Sequence, residues 1–239
     1  MSIINIKITG KKEVANGTME FFLEKPAGFE FRAGQFCDIT LIDPPETDAE
    51  GNTRGFSLVA APYEDYLAVA TRLRDTAFKR VFSGLPDGSE VQFDAPYGDF
   101  TLHKTESNPA VFIIGGIGVT PVRSMIAQAS HDKTAHQITL IHSNKTPADA
   151  PFQADFRQLA QENPNFTFVP VASEDAPEDF DGERGRVDAN LIKRHVTDWE
   201  HSIFYLSGPP GMVKAMRQLL VGELHANEDN IRTEEFDGY

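Results

Sequence analysis

The chain has 239 residues, 40% hydrophobic and 24% charged, a composition that suits a soluble protein with room for two medium-sized domains. Its formal net charge of −14 removes nucleic acid and anionic membrane from the candidate main partners, because both select a basic surface. A single cysteine, Cys37, allows no internal disulfide and no cysteine-held iron–sulfur cluster, the seven histidines are scattered rather than set at metal-ligand spacing, and no run reaches the roughly 20 apolar residues of a membrane span.

The chain opens on "MSIINIKITG", which lacks the layout of an export signal, so a cytoplasmic address is expected. The first hundred residues read as short strands separated by turn chemistry: "INIKITGKKEV", "TMEFFLEKP", "GQFCDITLI", "RGFSLVAAP", "YLAVATRL" and "EVQFDAPYG". One helix interrupts them near "TAFKRVFSGL". This spacing predicts a small antiparallel β-barrel of Greek-key type over residues 1–104. The polar, proline-bearing stretch 43–52, "DPPETDAEGN", is expected to be an exposed loop.

After a linker-like segment, "HKTESNP", the pattern changes. "AVFIIGG" is a buried strand ended by glycines, and "TPVRSMIAQAS" is a helix that Thr120 can cap and that Pro121 suits at its first position. Strand "ITLIHS", helix "APFQADFRQLAQEN", strand "FTFVPVAS" and helix "DANLIKRHV" follow. The chain ends with strand "IFYLSG", helix "PPGMVKAMRQLLVGEL" and strand "NIRTEEF". Such alternation predicts a parallel, Rossmann-like α/β domain over 105–239, with ligands at the carboxyl ends of its strands.

Two turns at those ends carry chemistry. "GGIGVTP", residues 115–121, delivers a strand to a helix amino terminus, where free N–H groups and the helix dipole favour an anion. Gly116 and Gly118 there serve either close approach of a pyrophosphate or close packing alone. "YLSGPPGM", residues 205–212, repeats the arrangement, with Ser207 and Gly208 expected beside the first turn. The two together favour a bound dinucleotide.

"RGFSL", "GGIGVTP", "LSGPPGM" and the terminal "EEFDGY" occur in the order found in the ferredoxin–NAD(P)H reductase family, and the chain resembles that family over nearly its whole length. "FRAGQF" and "APYGDF" also resemble its barrel segments. The resemblance implies FAD on the barrel and NADH or NADPH on the α/β domain. Arg54 would neutralise the FAD pyrophosphate through its planar fork. Phe56 would lie along the isoalloxazine, with Ser57 near its N5 and Leu58 following. Thr71, Arg72 and Leu73 would touch the flavin, while Thr76, Ala77 and Phe78 open a helix toward the pyrophosphate. Gly116, Gly118, Thr120, Pro121, Ser143, Asn144, Ser207, Gly208, Pro209 and Met212 would serve the pyridine nucleotide.

Catalytic roles fall by the same resemblance on Ser57, Ser207 and Glu235, with either Phe236 or Tyr239 covering the flavin. The chain departs from the family pattern at Phe56, where Tyr is usual, and at Ser207, where Cys is usual. Glu174 and Asp175 suit a 2′-hydroxyl and so NADH, although Lys145, Arg184 and Arg186 offer charge for a 2′-phosphate. Implied electron acceptors are a ferredoxin, a flavodoxin or an oxygenase component. Two other readings stand beside this one: an NAD(P)H-dependent free-flavin or ferric reductase, and a non-catalytic nucleotide-binding subunit.

Overall fold

A computed structural model describes residues 3–236. Six strands form the amino-terminal sheet: β1 (Ile4–Ala15), β2 (Thr18–Glu24), β3 (Phe36–Leu41), β4 (Thr53–Ser57), β5 (Tyr66–Arg72) and β6 (Glu90–Tyr97). All their pairings are antiparallel, in the order β4-β3-β6-β1-β2-β5. Alternation along each strand sends one face inward, so Ile6, Ile8, Phe21, Leu23, Ile39, Leu67, Val69, Val91 and Phe93 fill a common core. Helix α1 (Ala77–Gly84) plugs that core with Phe78 and Phe82, and Thr76 caps it by accepting from the Lys79 N–H. The hairpin between β1 and β2 turns on Asn16-Gly17, with Gly17 at φ 60°.

The second sheet is parallel and ordered β10-β9-β8-β7-β11-β12. Its strands are β7 (Ala110–Gly115), β8 (Ile138–Asn144), β9 (Phe166–Ala172), the two-residue β10 (Glu183–Arg184), β11 (Ile203–Gly208) and β12 (Ile231–Glu235). Strands β7 and β11 are buried at every position, as strands covered on both faces must be. Helices α2 (Thr120–Asp132), α3 (Gln153–Glu162), α4 (Ala189–His195) and α5 (Pro210–Gly222) supply the cover. The strand order reverses at β7, so the crevice between β7 and β11 is the switch point of the sheet.

Two departures from the sequence reading bear on the site. Strand β4 stops at Ser57, and Leu58–Ala61 run on as buried irregular chain toward the second sheet. A 3₁₀ turn, Gly116–Val119, precedes α2, so Thr120 is a helix residue rather than its cap. Its Oγ1 donates to the Ile117 carbonyl at 3.1 Å.

The two sheets share apolar and polar contacts. Val59, Ala60, Ala68 and Ala70 pack in one cluster with Phe112, Ile114, Val122, Met125 and Tyr205. Within this junction Arg123 of α2 forms an ion pair with Glu64 from the loop after β4, and another with Asp155 of α3 at 3.3 Å. Ser124 Oγ donates to the Ala60 carbonyl at 2.8 Å. The connecting segment is held by His103, whose N–H donates to the Tyr205 hydroxyl at 2.8 Å.

Candidate functional site

A cleft of about 210 Å³ lies between the sheets, lined on the barrel side by Arg54, Ser57, Thr71, Arg72 and Lys79 and on the other by Ile117, Thr120 and Phe236. The barrel side is cationic because β4, β5 and α1 all point their basic residues into one space. Burial pulls the Lys79 ammonium below its ordinary pKa, and Arg74 and Arg54 push it the same way. A lysine that burial drives toward neutrality, with two arginines adding to the shift and Glu50 opposing it, stands where a further anion is favoured. Arg54 lies over the Phe78 ring at 5.2 Å, which fixes the guanidinium plane.

On the sheet side, strand register builds a row. Ser207 pairs with Ile114 and with Glu234, and Ile114 pairs with His142. Residues paired in this way share a face, so Glu234, Ser207, Ile114 and His142 stand side by side across four strands. Tyr205 and Ile114 belong to the cluster shared with the barrel, so this is the face turned toward the barrel. Along the row, Ser207 Oγ, Glu234 Oε2 and His142 Nδ1 are buried without a hydrogen-bond partner among the described residues. Asn144, one turn of the pleat beyond His142, leaves both amide atoms in the same condition. Burial raises the Glu234 carboxyl to about 7, with Asp99 adding to the shift. Burial lowers the His142 imidazole to about 4, although its Nε2 bonds the Gly116 carbonyl at 2.9 Å. Polar groups stripped of water and given no protein partner are costly, so a row of them on the face turned toward the barrel suits a polar ligand at the junction.

The glycines explain how the two turns come so close. A Cβ on Gly118 would stand 2.7 Å from Gly208 N and 2.8 Å from Ser207 C, and one on Gly208 would stand 2.9 Å from the Gly115 carbonyl oxygen. Gly118 therefore serves packing between the turns. Gly116, at φ 54°, provides the left-handed turn. Met212 and Pro209 fill the space over Gly115, where an added Cβ would meet Met212 Sδ.

Not every expected residue reaches the cleft. Phe56 lines it but is only 8% exposed, its ring held against Phe78 and Phe82 in the barrel core. Leu58 and Phe78 are buried in that core, leaving their side chains no surface for a ligand, and Leu73 is exposed away from the cleft lining. Ser143 points to the opposite face from Asn144 and lines, with Ser173, Arg186 and Met212, a second cavity of about 350 Å³ beside α5. The acid assignment changes as well: Glu235 is exposed, and its neighbour Glu234 is half-buried with its Oε2 shielded from water. Phe236 lines the cleft, with its N–H on the Gly208 carbonyl at 3.1 Å, and Tyr239 lies outside the described residues. Period-2 alternation carried the missing signal, because the register of β12 sets Glu234 beside Ser207 and leaves Glu235 on the other face. Lys79 and Ile117 also went unassigned in the sequence reading.

A barrel and a parallel sheet meeting at a switch-point cleft define a two-lobed nucleotide-binding fold. The model of the oxidoreductase NAD-binding domain matches residues 112–218. The flavohemoprotein of Bacillus subtilis is 27% identical over 237 residues, 96% of this chain and 58% of that protein. The reductase component of propane 2-monooxygenase from Rhodococcus jostii is 29% identical over 202 residues, 82% of this chain and 53% of that protein. The chain thus spans about half the length of the curated relatives it matches. A crystal structure of a ferredoxin NADP+ reductase from Neisseria gonorrhoeae superposes with a TM-score of 0.80 at 24% identity, covering 98% of this chain and 99% of that one. In fold, and in the sequence of its nucleotide-binding half, the chain is similar to the ferredoxin–NAD(P)H reductase-like flavoprotein reductases.

Proposed function

We propose that this chain is an FAD-dependent NAD(P)H oxidoreductase that passes electrons to an external carrier: an oxygenase component, a ferredoxin or a flavodoxin. The proposed division is a flavin-binding barrel over 1–104 and a nucleotide-binding domain over 105–239. One observation carries the reading: Ser57, Arg54, Arg72 and Lys79 share one cleft with Ile117, Thr120 and Phe236 of the other lobe, and on the sheet face turned toward the barrel Ser207 Oγ and Glu234 Oε2 have no hydrogen-bond partner among the described residues. When bound, the nicotinamide supplies a two-electron donor and the flavin divides that pair into single-electron steps.

The chain's own residues bind, orient and exclude. Arg54, Arg72 and Lys79 offer charge to phosphate oxygens. Ser57, 5% exposed and without a side-chain partner among the described residues, offers its hydroxyl at the edge of a ring lying in the cleft. Ser207 offers a second hydroxyl from the sheet face turned toward the barrel. Glu234, titrating near 7, holds a proton at Oε2 on the same row. Phe236 closes the cleft against water and must move for a second ring to enter.

Purified protein should be yellow, and its flavin spectrum should bleach on anaerobic addition of NADH. A colourless protein that takes up no FAD would end this reading. Ser57→Ala should slow flavin reduction by roughly 10- to 100-fold, the scale of one hydrogen bond of about 1.5–3 kcal/mol to a charged group. An unchanged stopped-flow rate would remove Ser57 from the reaction.

For the coenzyme we infer NADH. Lys145 is paired with Glu174 at 3.2 Å, and Arg184 spends its donors on the carbonyls of Ala176, Pro177 and Glu178. That leaves Arg186 as the one of these three cations lining the second cavity, a single charge for any 2′-phosphate. NADH should give a kcat/KM roughly tenfold above NADPH, a difference of about 1.4 kcal/mol. Equal values, or a preference for NADPH, would assign Arg186 to a 2′-phosphate.

A further inference from the structure

The β3–β4 loop carries Glu46, Asp48 and Glu50 at alternate positions, and two arginines outside it hold all three. Arg80 of α1 grips Glu46 with two bonds, Nε to Oε1 at 2.9 Å and a terminal nitrogen to Oε2 at 2.6 Å. Arg54 meets Glu50 Oε2 at 2.9 Å and Asp48 Oδ1 at 3.1 Å. It also donates to the carbonyls of Glu50, Gly51 and Thr53. Both terminal nitrogens of the guanidinium assigned above to a pyrophosphate are therefore engaged by the loop and its edge.

Asp48 has a particular position within this set. Its Oδ1 accepts the Glu50 N–H at 3.0 Å as well as Arg54. The loop walls the amino terminus of α1, where Glu46–Glu50 and Asp75–Ala77 line one cavity of about 370 Å³. Partial desolvation raises the Asp48 carboxyl, but the N–H groups of Glu50 and Ala77 and the charge of Arg54 outweigh it and hold the group below its ordinary pKa. A carboxylate set between a guanidinium and the first turn of a helix has the surroundings that a phosphate oxygen would require.

We propose that the β3–β4 loop is a tethered phosphate mimic, with Asp48 occupying the seat of the FAD pyrophosphate until the cofactor displaces it. The inference rests on the flavin reading above and adds a regulated step to it. Displacement is feasible because the occupant stays open to solvent: the Glu50 side chain is 77% exposed and that of Asp48 31%, so water can take over their bonds when they leave. Apparent affinity for FAD is the intrinsic affinity reduced by the fraction of molecules with the loop withdrawn. Arg80 and Glu46 tether the loop nearby, so the mimic is always at high local concentration.

The test is a titration of flavin-free protein with FAD, followed by quenching of flavin fluorescence without any reductant. Asp48→Ala should tighten FAD by roughly 5- to 30-fold, the range that one lost competing interaction supplies. Asp48→Asn, which keeps the size and loses the charge, should move the same way. Affinity for riboflavin, which has no phosphate, should not change. Arg54→Ala should weaken FAD, and adding Asp48→Ala to it should then change little, because the seat no longer exists. Asp48→Ala that weakens FAD or leaves it unaltered while Arg54→Ala weakens it would overturn the mimic and spare the flavin reading. Failure of every variant and of the parent chain to bind FAD would overturn both.

Discussion

Arg123→Ala should destabilise the protein by about 3–5 kcal/mol, the cost of leaving one half of a buried ion pair without its partner. The arginine side chain is 12% exposed and that of Glu64 11%, so neither has water to replace the other. Glu64 is committed on its remaining sides as well, accepting the Ala61 N–H at 2.6 Å and the Tyr66 hydroxyl at 3.0 Å. Asp155 and Glu20 lie in the same junction, so truncation leaves three carboxyl groups around one lost cation.

The sign of the pH dependence follows from two opposed shifts. Burial raises Glu64, but Arg123 more than offsets this and holds it low, so its contribution is present above its ordinary pKa and lost as pH falls through the depressed value. Burial raises Glu20 from 4.5 to about 7, with Arg123 the first counterweight. The stability Glu20 contributes is complete below about 4.5 and lost as pH rises through about 7. Without Arg123 both carboxyls become costlier to ionise, so the deficit should be larger at pH 8 than at pH 5. Urea unfolding at the two pH values measures it. A loss under about 1 kcal/mol, the scale of a solvated pair, would show that the bridge is a surface contact.

Strands and helices were legible in the sequence because each shows its own period. The run "TMEFFLE" alternates cleanly into β2, and "AVFIIG" is apolar throughout because β7 is covered on both faces. The order of motifs also pointed to the carboxyl end of β7, where Ile117 and Thr120 line the cleft. What could not be read was which face of one lobe meets the other. Leu58–Ala61 look like more strand, yet they leave the barrel to meet α2, a contact made across some 60 residues of chain. Glu234 and Glu235 are chemically identical, and only the phase of β12 against β11 separates the shielded one from the exposed one. Arg54 reads as a free cation because the acids that hold it lie in an irregular loop with no period to place them. Gly118 reads as half of a phosphate cradle, and its neighbour across the crevice, Gly208, is 90 residues away.

Gly118→Ala should lower kcat/KM for the nicotinamide coenzyme by roughly 100-fold, on the measure that a misplacement of about 1 Å in a reacting site costs that much. The added Cβ would lie 2.7 Å from Gly208 N, 2.8 Å from Ser207 C and 2.9 Å from Gly208 Cα, all backbone atoms that no side-chain rotation can clear. An ordinary carbon contact needs about 3.5–4.0 Å, so the two turns must part by most of an ångström. The residue that moves with that displacement is Ser207, which stands beside Glu234 in the row and whose buried hydroxyl has no partner among the described residues. Flavin affinity should change little, because Arg54, Ser57 and Lys79 belong to the opposite wall. Gly222→Ala, where nothing lies within 4 Å of the added carbon, provides the matched control and should behave as the parent chain. Steady-state kinetics beside an FAD titration separates the cases. Equal losses of FAD and coenzyme binding would mean that the turn supports the whole fold rather than the nicotinamide side of the cleft.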